Sequence, residues 1–387
     1  MSDVGLCMIV KDESHVIARC LESVRPWISY WTIVDTGSTD GTQDLVRSLL
    51  DGIPGQLLEE PWVDFGHNRS IALAAARPHT AYTLMIDADE TFAAPAGWTW
   101  PALTTDSVQL RHRTGSTVYW RKTVFANRLQ WGYVGVLHEY PEAPGEDSST
   151  KLVEPEVDGF YDGGRSVGLS TVQKYARDAR VLAEAVEKEP DNHRYQYYLA
   201  RSYRDSEQPE LAEAAYRRRA EMDGGFAEEI ADSLLEVARY VQKREAPFDE
   251  VVTAYLTAWE SRPSRAEPLA GLARFCREQQ RWALGRMFAA HAISIPRPDD
   301  LLWIDEEVYD WRRLDEFAVC SSWTGHWEES AAACRMLLDG GLLPESETDR
   351  VRANLDLAEQ HSGPAAQAPG ASAAPARRPP AKRRKKR

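Results

Sequence analysis

Apolar and polar positions follow two different rhythms along this chain, with the change near residue 175. Over the first 165 residues, short apolar runs are separated by amphipathic stretches. VGLCMIV (residues 4–10) is apolar throughout, as in a strand buried on both faces. DESHVIARCLESV then sets Val16, Ile17, Leu21 and Val24 on one helical stripe, opened by acids that suit a first helical turn. YWTIVD reads as the next strand. STDGTQDLVRSLL starts a second helix, with Ser38, Thr39, Asp40 or Thr42 available as its cap. After QLLEEPWVDF, a helix in HNRSIALAAA leads to a strand ending at Asp87. This βαβαβαβ order predicts a parallel sheet with helices on both faces. VQLRHR and TVYWRKTVFANR read as two further strands, and the apolar run of WGYVGVLHEY follows them.

Beyond residue 175 the pattern is helical only. NHRYQYYLARSYRDSEQPELAEAAYRRRAEM places Leu199, Ala200, Tyr203, Ala212 and Tyr216 where two paired helices alternate small and large contacts. The pattern returns in SLLEVARYVQK with FDEVVTAYLTAWESRP, and again in AEPLAGLARFCREQ with WALGRMFAAHAISIP. These last two pairs end at Pro263 and Pro296, 33 residues apart. Such stripes are packing surfaces rather than cofactor boxes.

At 387 residues and 43% hydrophobic content, the chain can fill two or three cores. VGLCMIV stops at Lys11 without a basic leader, so it is not a signal peptide, and nothing later reaches a spanning length. A cytoplasmic protein is the expectation. Five cysteines without C-x-x-C spacing predict core thiols, not disulfides or a zinc site. The net charge of −14 conceals an asymmetry. Eight Lys and Arg fall between Arg377 and Arg387, so the chain up to Ala376 has 38 bases against 60 acids, a net of −22. That body repels polyanions. The basic run follows a Pro/Ala-rich linker and is either a contact for nucleic acid, anionic lipid or the acidic body, or a solubilising tail.

The candidate chemistry sits where strands end. LMIDADET puts Asp87, Asp89 and Glu90 at the carboxyl end of a buried strand, the edge at which open α/β sheets hold ligands. Carboxylates this close raise one another's pKa unless a cation neutralises them, and a divalent ion with oxygen ligands would do so. A solvated acidic turn accounts for the same residues. Asp35 closes TIVD on the same edge, and its carboxylate suits the ring N–H of a base or ribose hydroxyls. The first strand–helix turn lacks G-x-G-x-x-G, so a dinucleotide-binding loop is not present there.

Taken in order, MIVKDES, CLESV, WTIVDTGSTDGT, HNRSIALAA and LMIDADE resemble the nucleotide-diphospho-sugar glycosyltransferases of GT-A fold, family two, over roughly residues 4–175. The resemblance implies a nucleotide-sugar donor and a divalent metal, Mn or Mg. It makes DAD the D-x-D motif, with Asp35 the nucleoside-contacting acid, Asp87 near ribose or sugar, Asp89 the metal ligand and Asn68 the helix-start asparagine of the donor site. Two departures concern the base: VDTGS has Thr36 where the family has a second Asp, and VKDE stands for P-x-Y-N. A W…HE element follows the D-x-D in some relatives, which makes Glu139 the candidate general base and His138 a metal or phosphate contact. In an extended segment the two would face opposite ways, so a turn is required. In GFYDGGRSVG, Arg165 could close on the diphosphate, with Lys174 a second candidate; an interdomain linker fits equally.

The helical part resembles tetratricopeptide arrays, which implies a surface for a protein acceptor or partner, or a brace for the catalytic part. Its Tyr and Arg residues at 193–205 are either binding surface or repeat core. The expected layout is a GT-A domain over 1–168, tetratricopeptide-like repeats over 169–361, and a disordered linker and basic tail over 362–387. The expected activity is an inverting, metal-dependent transfer of sugar to protein, glycan or modified nucleic acid. A noncatalytic scaffold is the alternative. A nucleotidylyltransferase would need a Gly-rich basic loop that is missing between Val10 and Ser14.

Overall fold

The structure, a computed structural model, describes residues 3–114, 117–160, 162–164, 168–302 and 304–362, with backbone alone at 117 and 118. It divides into two compact units between Tyr240 and Val241.

The first unit begins with an eight-stranded mixed sheet. Its first strands are β1 (Val4–Val10), β2 (Tyr30–Asp35), β3 (Gly55–Glu59), β4 (Tyr82–Met85) and β5 (Glu90–Ala93). They are followed by β6 (Ser107–Thr114), β7 (Thr117–Ala126) and β10 (Ser149–Gly159). The order is β3-β2-β1-β4-β7-β6-β10-β5, and β8 (Gly132–Val134) pairs separately with β9 (Tyr140–Glu142). β3, β2, β1 and β4 run parallel, with Val10 beside Asp35 and Cys7 beside Met85. The chain leaves β1 to one side for β2 and later returns on the other for β4, so a crevice opens at their carboxyl ends.

Helices cover both faces of this parallel part, as the alternation predicted. From α1 (Ile17–Val24) and α2 (Thr42–Leu49), Ile17, Leu21, Val24 and Val46 pack with Leu6, Met8, Ile33 and Leu84. From α3 (Phe65–Ala76), Ala72, Leu73 and Ala76 pack with Cys7, Val34, Met85 and Phe125 on the other face. Successive residues of β1 thus point to opposite layers. α3 is capped by Asp64, which accepts from His67 N at 2.7 Å. The acids expected in the first turn of α1 lie before it. Asp12 has φ +54 and Glu13 precedes the helix, because both are drawn into contacts with the β2–α2 loop.

Among the described residues ten α-helices follow: α4 (Thr171–Lys188), α5 (His193–Asp205), α6 (Pro209–Glu221), α7 (Ala227–Lys243), α8 (Phe248–Ser261), α9 (Glu267–Glu278), α10 (Trp282–Ser294), α11 (Arg313–Trp323), α12 (Trp327–Asp339) and α13 (Glu345–Ser362). The turns that join α5 to α6, α7 to α8, α9 to α10 and α11 to α12 each have a left-handed residue: Glu207, Glu245, Gln280 and Gly325, with φ of 58 to 79°. The repetition read from the sequence is therefore also a repetition of backbone geometry. Within the second unit, α10 packs so closely on α9 and α11 that a Cβ on Gly285 would lie 3.2 Å from Ala273 O and 2.7 Å from Cys320 Sγ. Leu199, Ala200, Ala212 and Tyr216 are buried as the pair pattern requires. Tyr195, Tyr197 and Tyr198 are buried too, Tyr197 with its hydroxyl on Asp232 of α7, and Tyr195 and Tyr198 against the turn between β8 and β9. All five cysteines are buried and unbridged. No helix among the described residues is long and apolar enough to cross a membrane. The basic run at 377–387 lies outside the described residues.

Candidate active site

The crevice is built from loops that follow β1, β2 and β4. Thr36 N and Oγ1 both donate to Val10 O, at 2.9 and 3.1 Å, and lock the end of β2 onto β1. The next turn is cross-linked by short side chains. Asp12 Oδ1 accepts from Thr39 N at 2.8 Å, Asp12 N donates to Ser38 Oγ at 2.9 Å, and Asp40 Oδ2 accepts from Ser14 N at 2.9 Å.

Asp35 is held inside this frame. Its Oδ1 accepts from Gly37 N, Ser38 N and Gln43 Nε2 at 2.8 to 3.0 Å. Burial pushes the carboxyl up, but the Ser38, Gln43 and Gly37 hydrogen bonds outweigh it and hold it below the usual range. Its Oδ2 is buried and, among the described residues, has no hydrogen-bond partner. A buried carboxylate oxygen in that state is short of a donor.

The three acids of LMIDADET have separate fates. Glu90 turns inward: its Oε2 accepts from Asp87 N and from Arg121 Nη2, both at 2.9 Å, and its Oε1 lies 3.4 Å from His112 Nδ1. Burial opposes ionisation, yet Arg121 and His112 bring the carboxyl down to about 2. Asp87 Oδ1 accepts from Arg69 Nη2 at 2.5 Å, and Oδ2 lies 3.9 Å from Arg121. Two arginines thus do for Asp87 and Glu90 what the sequence reading assigned to a metal. Among the described residues the Asp89 carboxylate has only a long contact from Gly163 N at 3.4 Å, and burial with Asp87 and Glu90 nearby raises its pKa.

Arg69 links Asp87 to the second part of the site. Its Nε lies 2.8 Å from Glu139 Oε1, an ion pair off the hydrogen-bonding direction. Burial alone would lower the Arg69 pKa, and Asp87 with Glu139 pushes it up instead. Glu139 and His138 fall in the turn between β8 and β9, so the intervening turn that the pair required is present. Gly135 (φ +113) and His138 (φ +54) make it. The His138 ring stacks on Tyr198 at 4.1 Å. Asn68 is fully buried, with Oδ1 accepting from Val63 N and Nδ2 donating to Pro61 O, both at 3.0 Å; it clamps the loop before α3.

The segment after β10 crosses the same edge. Gly164 N donates to Glu13 Oε2 at 2.9 Å, and Asp162 forms a two-point pair with Arg19 at 2.8 and 3.0 Å. A Cβ at Gly164 would stand 2.6 Å from Asp12 O, so only glycine allows this approach. Burial, with Asp89 and Asp87 nearby, pushes Glu13 up to about 7 despite the Gly164 amide. Arg165 lies outside the described residues. Lys174 is in the first turn of α4, with its ammonium 5.9 Å from the Tyr175 ring. Among the described residues no three His, Cys, Asp or Glu side chains gather as metal ligands.

Residues 6–96, which contain α1 to α3 and the acids at Asp35, Asp87 and Asp89, match the profile of glycosyl transferase family 2. The family 2 segment is followed by tetratricopeptide-like helical repeats, in the order expected from the sequence. Over 84 residues the chain is 36% identical to the lipopolysaccharide core biosynthesis glycosyltransferase LpsC of Rhizobium meliloti, covering 21% of this chain and 30% of that protein. Over 100 residues it is 38% identical to a TPR repeat-containing protein of Synechococcus elongatus, covering 26% of this chain and 23% of the relative. The chain thus spans less than a third of the length of these curated relatives. Among solved structures, the TPR protein YrrB is similar over 47% of this chain and 84% of its own, at 13% identity and a TM-score of 0.37. MamA is similar over 46% and 85%, at 13% identity and a TM-score of 0.35.

Arg69, Arg121 and Glu13 were not singled out in the sequence. Arg69 adjoins Asn68 on α3, and Arg121 alternates along β7, but neither carries a motif. Only the fold brings 69, 87, 90, 121 and 139 into one cluster.

Proposed function

We propose that this chain is a glycosyltransferase that takes a sugar from a nucleotide-diphosphate donor and passes it to an acceptor hydroxyl. The observation that carries the reading is that Asp35 and Asp89, each short of donors among the described residues, follow β2 and β4 at the carboxyl edge of a family 2 segment. In this reading the free Asp35 Oδ2 accepts from the nucleoside, through a ring N–H or a ribose hydroxyl. Asp87, fixed by Arg69, meets ribose or sugar. Asn68 shapes the loop that borders the donor, and Arg165 closes on the diphosphate. Glu139 takes the acceptor hydroxyl's proton as its oxygen bonds to the anomeric carbon on the face opposite the diphosphate, which departs with the electrons of the sugar–phosphate bond, and this gives inversion.

The donor set fits a hard divalent ion, Mn or Mg, held by few protein carboxylates and completed by the diphosphate. Asp89 would be its ligand, with His138 toward metal or phosphate. The raised Asp89 and the neighbouring Glu13 are what such a cation would relieve. When bound, the ion neutralises charge on the departing diphosphate. The helical repeats are of a kind that binds extended chains, so peptide acceptors are tested beside glycans and nucleic acid.

The scaffold reading has one observation in its favour: Arg69 pairs with Glu139, as it would with a purely structural acid. The deciding experiment titrates UDP-glucose, UDP-N-acetylglucosamine and GDP-mannose with and without manganese, on the wild type, Asp89→Ala and Asp35→Ala. Manganese-dependent binding or slow hydrolysis of one donor, lost in both variants, is the expected result. Absence of binding by every donor would leave the scaffold.

A further inference from the structure

The turn that carries Glu139 is gripped by the first helix of the tetratricopeptide-like pair. Arg194 of α5 donates to His138 O through Nε and Nη2, at 2.9 and 2.8 Å. The Val136 N–H donates to the Tyr195 hydroxyl at 3.2 Å. Tyr198 stacks on the His138 ring at 4.1 Å and 14°. These three residues lie within one and a half turns of the helix start, where Asn192 accepts from Tyr195 N at 3.1 Å and fixes the first turn. The Arg194 guanidinium also lies over the Tyr140 ring, 5.0 Å away, so it reaches both sides of Glu139 in sequence.

These contacts have a task. His138 holds φ +54, a left-handed conformation that costs a non-glycine residue on the order of 1 kcal/mol and persists only when its surroundings impose it. A carbonyl bonded twice by one arginine, an amide bonded to a buried tyrosine and a stacked ring impose it. From α3 the turn is closed by other means: Ser70 Oγ accepts from Tyr133 N at 2.8 Å, and a Cβ on Gly66 would meet Gly135 O at 2.4 Å. The α3 side fixes the entry to the turn, and the α5 side fixes the residues next to Glu139.

We propose that Arg194, Tyr195 and Tyr198 are positioning residues for Glu139, so that the first repeat helix is a working part of the catalytic site rather than only a platform for partners. Without them the turn loses its left-handed residue, and Glu139 leaves the position beside Arg69 and Asp87. The proposal rests on the reading of Glu139 as general base.

Two measurements on the full chain test it. Deuterium uptake of a peptide spanning 135–140 reads the grip directly and needs no substrate. In Arg194→Ala and Tyr195→Phe this peptide is expected to exchange at least tenfold faster, with β4 unchanged and the melting temperature held within a few degrees. Unchanged protection of 135–140 in both variants overturns the proposal, whatever Glu139 does. The second measurement is hydrolysis of the panel donor that the protein turns over. Arg194→Ala is expected to lower kcat at least tenfold with the donor KM within twofold, and Arg194→Lys to restore part of it. Combined with Glu139→Gln, Arg194→Ala should add no further loss. A full additional loss in the double variant overturns the proposal, because the helix would then act through something other than Glu139. Full turnover by Glu139→Gln instead defeats the base assignment. A Glu139→Gln protein that is inactive, beside an Arg194→Ala protein that is fully active, defeats the grip alone.

Discussion

Both units bury charged groups, but they satisfy them differently. In the second unit Arg265 makes a two-point pair with Glu267 at 2.7 and 3.0 Å, and Tyr309 donates to the same carboxylate at 2.6 Å. Asp300 is bonded by Arg262 through two nitrogens, both at 2.6 Å, and by Arg265 at 3.3 Å. Burial would push Asp300 up, yet these arginines hold it below its usual range. At the crevice of the first unit the direction is reversed for Asp89 and Glu13, which burial and neighbouring carboxylates push up. Asp35 meanwhile keeps one oxygen without a donor among the described residues. Buried charge by itself therefore marks nothing. What separates a site from a structural network is the acid left short of a cation or a donor.

The sharpest break in that comparison is Glu139→Gln, which keeps the shape and removes the base. Turnover of donor and acceptor should fall ~100- to 10,000-fold with an unchanged circular dichroism spectrum. Arg69→Met comes next, since it takes from the half-buried Asp87 and Glu139 the buried guanidinium they share. We expect a loss of about 3–5 kcal/mol in urea unfolding of the first unit. Glu267→Gln makes the matching change in the second unit, stranding part of Arg265. It should cost about 1–3 kcal/mol and leave donor affinity at the wild-type value, whereas Arg69→Met should not.

The smallest effect concerns Glu13. Its folded pKa of about 7 stands above the ordinary 4.5, so the fold prefers the protonated form. Its stabilising contribution is complete below pH 4.5 and is lost as the pH rises to about 7. Because the group is partly solvated, the loss is on the order of 1 kcal/mol. Stability curves of wild type and Glu13→Gln should separate across that window, with the variant the more stable at pH 8. Curves that stay parallel would place Glu13 among the satisfied acids.

Much of this architecture was legible because it depends on local periodicity. The uniformly apolar β1, the stripe of Ile17, Leu21 and Val24, and the paired small and large residues at 199–216 each announce a buried face without any knowledge of partners. The acids of the crevice were legible for a related reason, since polar residues closing an apolar strand lie at its end. Their neutralisation was not. Arg69 stands 18 residues from Asp87 and Arg121 stands 31 from Glu90, separations at which sequence spacing carries no geometric information. The first turn of α1 also misled, because Asp12 and Glu13 look like helix-opening acids until the β2–α2 loop supplies other partners.

By itself, then, the sequence determined the elements, their order, the strand ends that bear acids and the change to helical repeats, all of which follow from hydrophobic period and turn chemistry within some tens of residues. Only the tertiary structure decided which acids are paired with arginine and which are left wanting. It also decided that His138 would take a left-handed backbone under the grip of Arg194 and Tyr198. The reason is physical: periodicity tells a residue which face to bury, whereas the partner of a charge depends on which distant segments the fold brings within 3 Å of it.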